Sequence, residues 1–226
     1  MRRALDTAHE LQFRMGNLHK GPSAGMRTDA TVGDRPVLFI HNPRTAGRSL
    51  EAMLNVKRLS HRYPSEKLTE AQWLASFVIS AVRHPLDRFL SHYIKVVKRP
   101  TTNRLVKLYG EGVHDLSAME FLDLIRKHPR YGGSQTQWTD YPSTVKPRAD
   151  LVLRFEEIGR WPAILREAGV RNIVEDIPQI GRSTREKKER LLGLSSEEMA
   201  DLRAAVEERY RFDYATFGYP FRDAKL

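Results

Sequence analysis

The sequence predicts an α/β fold in which an open parallel sheet is flanked by helices. Its 226 residues and 40% hydrophobic content suit one well-buried domain. Segments that are apolar throughout alternate with amphipathic segments of helical length. Because strands that lack an alternation of apolar and polar residues are buried on both faces, this pattern favours a parallel sheet covered by helices on both sides.

Local patterns place the elements in chain order. The predicted strands are 37–41, 77–82 and 150–155, and the predicted helices are 47–56, 85–97, 115–127, 160–169 and 195–210. Pro85 suits the first turn of its helix, and Gly169 suits the end of another. Ser195 and Glu198 have the spacing of a capping box. These signals fix one boundary of each of three helices.

The chain divides into a lead-in and one domain. Residues 1–35 include the stretch KGPSAGMRTDATVGD, whose Gly, Pro, Ser and Thr predict a flexible segment with little structure. Residues 36–222 are predicted to form a single domain. Within it, about 99–148 is poorly patterned and is predicted to be a helical and loop insertion.

Composition limits the classes of function. The net charge of +10 attracts anionic ligands or surfaces. The absence of cysteine excludes disulfides and thiolate chemistry and favours a reducing compartment. No apolar run approaches the roughly 20 residues of a membrane helix, and the N-terminus lacks the apolar core of a secretory signal. We therefore expect a soluble, cytoplasmic protein, and no residue cluster predicts a metal site.

The stretch VLFIHNPRTAGRSLEAML, residues 37–54, is typical of a strand that leads through a phosphate-binding loop into a helix. The loop lacks the Gly-Lys-Ser/Thr sequence of nucleotide triphosphatases. The loop combines small residues, whose backbone amides can approach an anion closely, with side chains that donate hydrogen bonds from a hydroxyl or a guanidinium. These residues are Arg44, Thr45, Ala46, Gly47, Arg48 and Ser49. The loop therefore predicts an anion site on a P-loop-type sheet, although an ordinary turn with surface arginines has the same sequence features.

A second stretch, FVISAVRHPLDRFLSHY, repeats the order of strand, polar corner and helix. Arg83 leaves the strand and Ser91 lies two turns into the helix. A forked guanidinium and a hydroxyl at this spacing can bind one further phosphate.

Together the two stretches resemble the cofactor motifs of PAPS-dependent sulfotransferases, in the branch of the carbohydrate 2-O-sulfotransferases and their bacterial relatives. That family's first motif reads approximately His-Ile-Pro-Lys-Thr-Ala-Gly-Thr-Ser, and its second reads Val-Arg-Asn-Pro-x-x-Arg-x-x-Ser-x-Tyr. The resemblance covers residues 37–93 and extends more weakly through LVLRFEEIGRW and YRFDYATFGY. It implies 3′-phosphoadenosine 5′-phosphosulfate (PAPS) as the donor and sulfuryl transfer to an acceptor hydroxyl, of a carbohydrate or glycan.

The resemblance also implies roles for individual residues. Residues 45–49 would bind the phosphosulfate, and Arg83 with Ser91 would bind the 3′-phosphate. Arg44 stands where the family has its catalytic lysine, so it would contact the leaving group, alone or with Arg48. Ser183 falls where relatives place another cofactor contact.

A general base must take the proton of the acceptor hydroxyl. His61 lies between the two motifs, as the base does in the carbohydrate 2-O-sulfotransferases, and its imidazole would be available near neutral pH. Glu66 is the rival, because other sulfotransferases use a glutamate in this interval. His92 is expected to pack or face solvent, whereas His114 and His128 could line the acceptor cleft.

Acceptor recognition is predicted in residues 99–148. Aromatic and amide side chains there could stack on and hydrogen-bond a saccharide, or could instead fill the core of a small helical region: Tyr131, Gln135, Trp138 and Tyr141. No nucleic-acid partner is expected. Two other functions fit the loop and charge, namely a nucleotide-dependent kinase and a non-catalytic polyanion-binding protein.

Overall fold

The computed structural model describes residues 27–56, 62–99, 104–128, 132–174 and 192–221, and the statements below concern these ranges. They form a five-stranded sheet flanked by helices, a mixed α/β fold. The strands are β1 (Arg27–Val32), β2 (Arg35–Ile40), β3 (Phe77–Val82), β4 (Leu151–Arg154) and β5 (Val170–Arg171), in the spatial order β4-β3-β2-β1-β5.

Helices fill the connections between the strands. The α-helices are α1 (Gly47–Met53), α2 (Glu70–Ala75), α3 (Pro85–Val96), α4 (Arg104–Tyr109), α5 (Ala118–Arg126), α6 (Thr136–Thr139), α7 (Trp161–Glu167), α8 (Ser196–Arg209) and α9 (Arg211–Phe217). Short 3₁₀ helices cover Pro64–Glu66, Glu111–Asp115 and Phe155–Arg160. Within the described ranges, no helix is both long and apolar enough to cross a bilayer.

Both faces of the sheet are buried, as the unbroken apolar strands predict. Val37 and Phe39 of β2 pack on one face with residues of α1 and α7. Leu38 and Ile40 pack on the other face, against Trp73 of α2 and Trp138 of α6. A further core lies among α3, α4, α5, α8 and α9. The alternate residues of one strand therefore anchor helices on opposite sides.

The sheet is parallel on one side, from β2 through β3 to the edge strand β4. β2 pairs with β3, and β3 with β4, in parallel register. β1 pairs antiparallel with both β2 and β5, so the prediction of a wholly parallel sheet was wrong at one edge. A two-residue turn at 33–34 joins β1 to β2, which forces the antiparallel pairing.

The expected flexible lead-in was also wrong for its last residues, because β1 occupies Arg27–Val32. Its alternating polar and apolar residues give a weak strand signal, and the Gly33 turn made the segment resemble a loop. Residues 1–26 lie outside the described part of the chain.

Each predicted helix and strand is present, with ends that differ by up to three residues. α1 ends earlier than predicted because Asn55 adopts a left-handed conformation, with φ of 50°, and terminates the helix. The Ser195 capping box is confirmed, since the Ser195 hydroxyl accepts from the N–H of Glu198 at 3.2 Å. Gly169, with φ of 78°, follows the end of α7 as predicted.

Candidate active site

The two sequence motifs meet at the carboxyl ends of two central strands of the sheet. β2 and β3 are adjacent and parallel, so the loop after Ile40 and the corner after Val82 both leave from the carboxyl ends of strands. Open α/β sheets bind their ligands at the carboxyl ends of the strands. We call residues 41–46 the first loop and residues 83–84 the second loop.

The first loop has an unusual backbone. Arg44 and Ala46 have φ values of 72° and 59°, a left-handed conformation that side chains other than glycine adopt at an energetic cost. Thr45, between them, is fully buried, and its hydroxyl donates to the Asn42 carbonyl at 2.8 Å. In this structure the Thr45 hydroxyl therefore serves to fold the loop, and its contact with a ligand stays a prediction.

A buried pair lies beneath the first loop. His41 Nδ1 is 2.9 Å from Glu51 Oε1, and the His41 ring stacks against Phe39. Gly47 lies directly against this ring, since a Cβ at that position would be 2.1 Å from His41 Nε2. Gly47 is thus required by the packing of His41, a reason that the phosphate-loop interpretation did not supply.

Burial lowers the pKa of His41, although the nearby Glu51 carboxylate acts in the opposite direction. Below about pH 6.5 the unfolded chain binds a proton at this histidine more readily than the folded chain does. The free energy of unfolding therefore decreases as the pH decreases, by at most about 1.4 kcal/mol per pH unit. We expect wild type to lose more free energy of unfolding than His41→Gln when the pH falls from 7.5 to 5.5. Urea unfolding at both pH values measures this; equal losses in the two proteins would contradict it.

Arg44 joins the two motifs. Its Nε and one terminal nitrogen donate to Ser91 Oγ of α3, at 3.2 and 2.6 Å. Arg83 in turn donates to the Arg44 carbonyl at 3.4 Å. Three of the residues predicted from the sequence are therefore brought into contact.

This contact places positive charges close together. Burial, with repulsion from Arg83 and Arg99, lowers the pKa of Arg44 to about 10, which leaves the guanidinium charged at neutral pH. Among the residues that the structure describes, no carboxylate forms an ion pair with Arg44. A cationic cluster of this kind favours an anionic ligand.

The second loop is held by two segments distant in sequence. The guanidinium carbon of Arg83 lies 3.8 Å from the centroid of the Phe155 ring. Glu156 accepts from the backbone N–H of His84 at 2.8 Å and from the Tyr219 hydroxyl at 3.0 Å. The segments LVLRFEEIGRW and YRFDYATFGY therefore support the second loop, which accounts for their part in the resemblance.

Arg88 is a site residue that the sequence analysis did not single out. It is 6% exposed, and it donates to the carbonyls of Pro43 at 3.2 Å and Gly133 at 3.1 Å. The sequence did offer a signal, because Arg88 matches the second arginine of the family's second motif and lies three residues before Ser91, on the same face of α3.

The residues proposed for acceptor recognition are mostly structural. Gln135 and Trp138 are fully buried, so of the two predicted alternatives the filling of a core applies to them and the contact with an acceptor does not. Tyr141 is half-buried, stacks on Trp73 and donates its hydroxyl to the Leu68 carbonyl at 2.9 Å. Burial of apolar rings against the sheet outweighed the exposure that their amphipathic character suggested. Tyr131 lies outside the described residues.

The candidate bases differ in environment. Glu66 is exposed and accepts from the Tyr63 N–H at 3.2 Å, at the start of a 3₁₀ helix. His92 packs edge-on against Phe121, His114 lies 3.1 Å from the Val97 carbonyl, and His128 contacts the Tyr109 hydroxyl. His61 and Ser183 lie outside the described residues, so their roles stay predictions.

Comparison with known proteins identifies the family. No curated protein and no solved structure gives a significant match. A protein-family model described as the sulfotransferase family matches residues 40–220, which include both loops, β3, β4 and β5, and the last residue of β2. The match favours neither a kinase nor a non-catalytic polyanion-binding protein. The chain belongs to the sulfotransferase family, whose members transfer a sulfuryl group.

Proposed function

We propose that the protein transfers a sulfuryl group from PAPS to an acceptor hydroxyl. The observation that carries this proposal is the contact of Arg44, Arg83 and Ser91 at the carboxyl ends of two adjacent parallel strands. Within the sulfotransferase family, two adjacent anion-binding loops suit PAPS, which carries a 5′-phosphosulfate and a separate 3′-phosphate. The first loop then acts as the phosphate-binding loop.

The donors at this edge have the chemistry that PAPS requires. Guanidinium and hydroxyl groups bind phosphate oxygens, and arginine can do so in a forked geometry. Gly47 and Arg48 begin α1, so the helix itself provides no carbonyl partner for their backbone N–H groups. In the proposal, residues 45–49 face the phosphosulfate, with Thr45 contributing its backbone, and Arg83 with Ser91 face the 3′-phosphate.

When bound, PAPS supplies the sulfuryl group and a phosphate leaving group. The protein's part is to neutralise the charge that develops on the leaving oxygen and to hold the reactants in line. We assign the neutralisation to Arg44, with Arg48 as a neighbouring cation. As an arginine, Arg44 supplies charge and hydrogen bonds but does not donate a proton at neutral pH.

His61 is our proposed general base, with Glu66 as the alternative, because both lie between the two motifs in the chain. The proposed acceptor is a carbohydrate or glycan hydroxyl and the proposed location is the cytoplasm. The first rests on the resemblance to carbohydrate 2-O-sulfotransferases, the second on the absence of cysteine from the sequence.

Calorimetry with 3′-phosphoadenosine 5′-phosphate, AMP and ATP tests the choice of donor. We expect tight binding that depends on the 3′-phosphate, and at least about a hundredfold weaker binding in Arg83→Ala, because a desolvated charged contact is lost. Arg160→Ala is the control, since Arg160 is exposed and pairs with Glu157. Preference for ATP with magnesium, or equal affinity for AMP and the bisphosphate, would overturn the proposal.

A further inference from the structure

The amide of Gln135 connects the first and second loops. Its Nε2 donates to the Arg83 carbonyl at 2.8 Å, and its Oε1 accepts from the Arg83 N–H at 2.9 Å. The same Oε1 accepts from Asn42 Nδ2 at 3.3 Å, while Asn42 also donates to the Ala81 carbonyl at 2.9 Å. One side chain, fully buried, thus bonds to both loops.

Gln135 is itself fixed by a residue from the far end of the chain. Both carboxylate oxygens of Asp213, in α9, accept from the Gln135 backbone N–H, at 2.8 and 3.0 Å. The Ser134 hydroxyl donates to the same carboxylate. Asp213 is fully buried, so water does not compete for its carboxylate, and these hydrogen bonds hold the Gln135 backbone in place.

Arg88 makes a second connection through the same segment. It donates to Pro43 in the first loop and to Gly133, two residues before Gln135. Its guanidinium also lies over the Trp138 ring, with 5.3 Å between the guanidinium carbon and the ring centroid. The segment 133–135 is therefore bonded to the first loop at two points, Pro43 through Arg88 and Asn42 through Gln135.

We propose that Gln135 is a positioning residue that fixes the separation of the two anion-binding loops and so sets the preference for a ligand with two anionic groups. This inference rests on the proposed function, in which each loop binds one end of the donor. Gln135 touches no ligand in this role, since it is buried and its amide is occupied by Arg83 and Asn42.

The preference follows from simultaneous binding. Once one anionic group is bound, the second binds at an effective concentration that depends on how well its subsite is placed. If the loops move relative to each other, a ligand with both groups loses this advantage. A ligand with a single anionic group loses little affinity, because each loop keeps its own hydrogen-bond donors.

Gln135→Met tests this inference, since methionine keeps the volume of the side chain and removes its hydrogen bonds. The probes are 3′-phosphoadenosine 5′-phosphate and AMP, measured by calorimetry on the full chain. We expect the ratio of their affinities to fall by about tenfold or more, chiefly through the bisphosphate. Gln137→Ala is the matched control, because Gln137 is exposed on the short helix that follows Gln135, and its variant should keep the wild-type ratio.

The affinity ratio is a property of the folded molecules, so lower stability alone does not change it. If Gln135→Met does not fold, Ser134→Ala removes one bond to Asp213 and should lower the ratio by a smaller factor. A ratio that stays at the wild-type value in the variant that folds would overturn the positioning role. A wild-type protein that does not distinguish the two probes would instead overturn the proposed function.

Discussion

Arg44→Ala is expected to lower kcat for sulfuryl transfer at least about a hundredfold, whereas Arg44→Lys should retain or raise it. Removing a single preorganised donor from a developing oxyanion commonly costs a hundredfold to a thousandfold. Lysine restores the cation that the family has at this position, without the forked geometry of arginine. Initial rates with PAPS and a saccharide acceptor, at saturating donor, measure the effect.

The structure makes the Arg44 variants informative in a second way. Because Arg44 donates twice to Ser91, its loss also removes a contact between the two motifs. Donor affinity should therefore be measured beside kcat: a loss confined to affinity would give Arg44 a binding role only. Arg126→Ala is the matched control, since Arg126 is exposed on α5 and pairs with Asp123.

Two results would contradict the assignment of Arg44. A fully active Arg44→Ala would show that another cation neutralises the leaving group, and Arg48→Ala would then be expected to abolish activity. A fully inactive Arg44→Lys with normal donor binding would show that the guanidinium geometry itself is required.

The parts of the fold that could be predicted from sequence are those specified locally. The strand at 77–82 and the helix from Pro85 follow from an apolar run and a proline in the first turn, and both are confirmed. The two loops were predicted to be neighbours only through the resemblance. The first loop contacts the second loop from Arg44 to Arg83, 39 positions later, and contacts α3 from Arg44 to Ser91, 47 positions later.

The residues whose roles the sequence left open or did not show depend on partners far away in the chain. Gln135 bonds to Arg83, 52 positions earlier, and to Asp213, 78 positions later. No local pattern distinguishes such an amide from one exposed to a saccharide. Arg88 matches an arginine of the second motif, but its contacts could not be predicted, since its partners Pro43 and Gly133 lie 45 positions away on either side.

Gly47→Ala is expected to destabilise the protein by about 2 kcal/mol, although alanine is the better helix former. In open space the substitution at the start of α1 would gain up to about 1 kcal/mol from propensity. Here the new Cβ would lie 2.1 Å from His41 Nε2 and 2.2 Å from Cδ2. The ring cannot rotate away cheaply, because Phe39 stacks on it and Glu51 bonds to it.

Urea unfolding of Gly47→Ala measures this cost, and the matched control is Gly112→Ala. Gly112 lies in a 3₁₀ helix with nothing within 4 Å of a Cβ, so its substitution should be neutral or stabilising. Adding His41→Ala to Gly47→Ala removes the clash, and the double variant should lose less than the sum of the single losses. Additive losses would show that the ring is not what Gly47 accommodates. Because α1 begins at Gly47, displacement of this residue should also weaken binding of 3′-phosphoadenosine 5′-phosphate. This second loss would link the packing beneath the first loop to the proposed anion site.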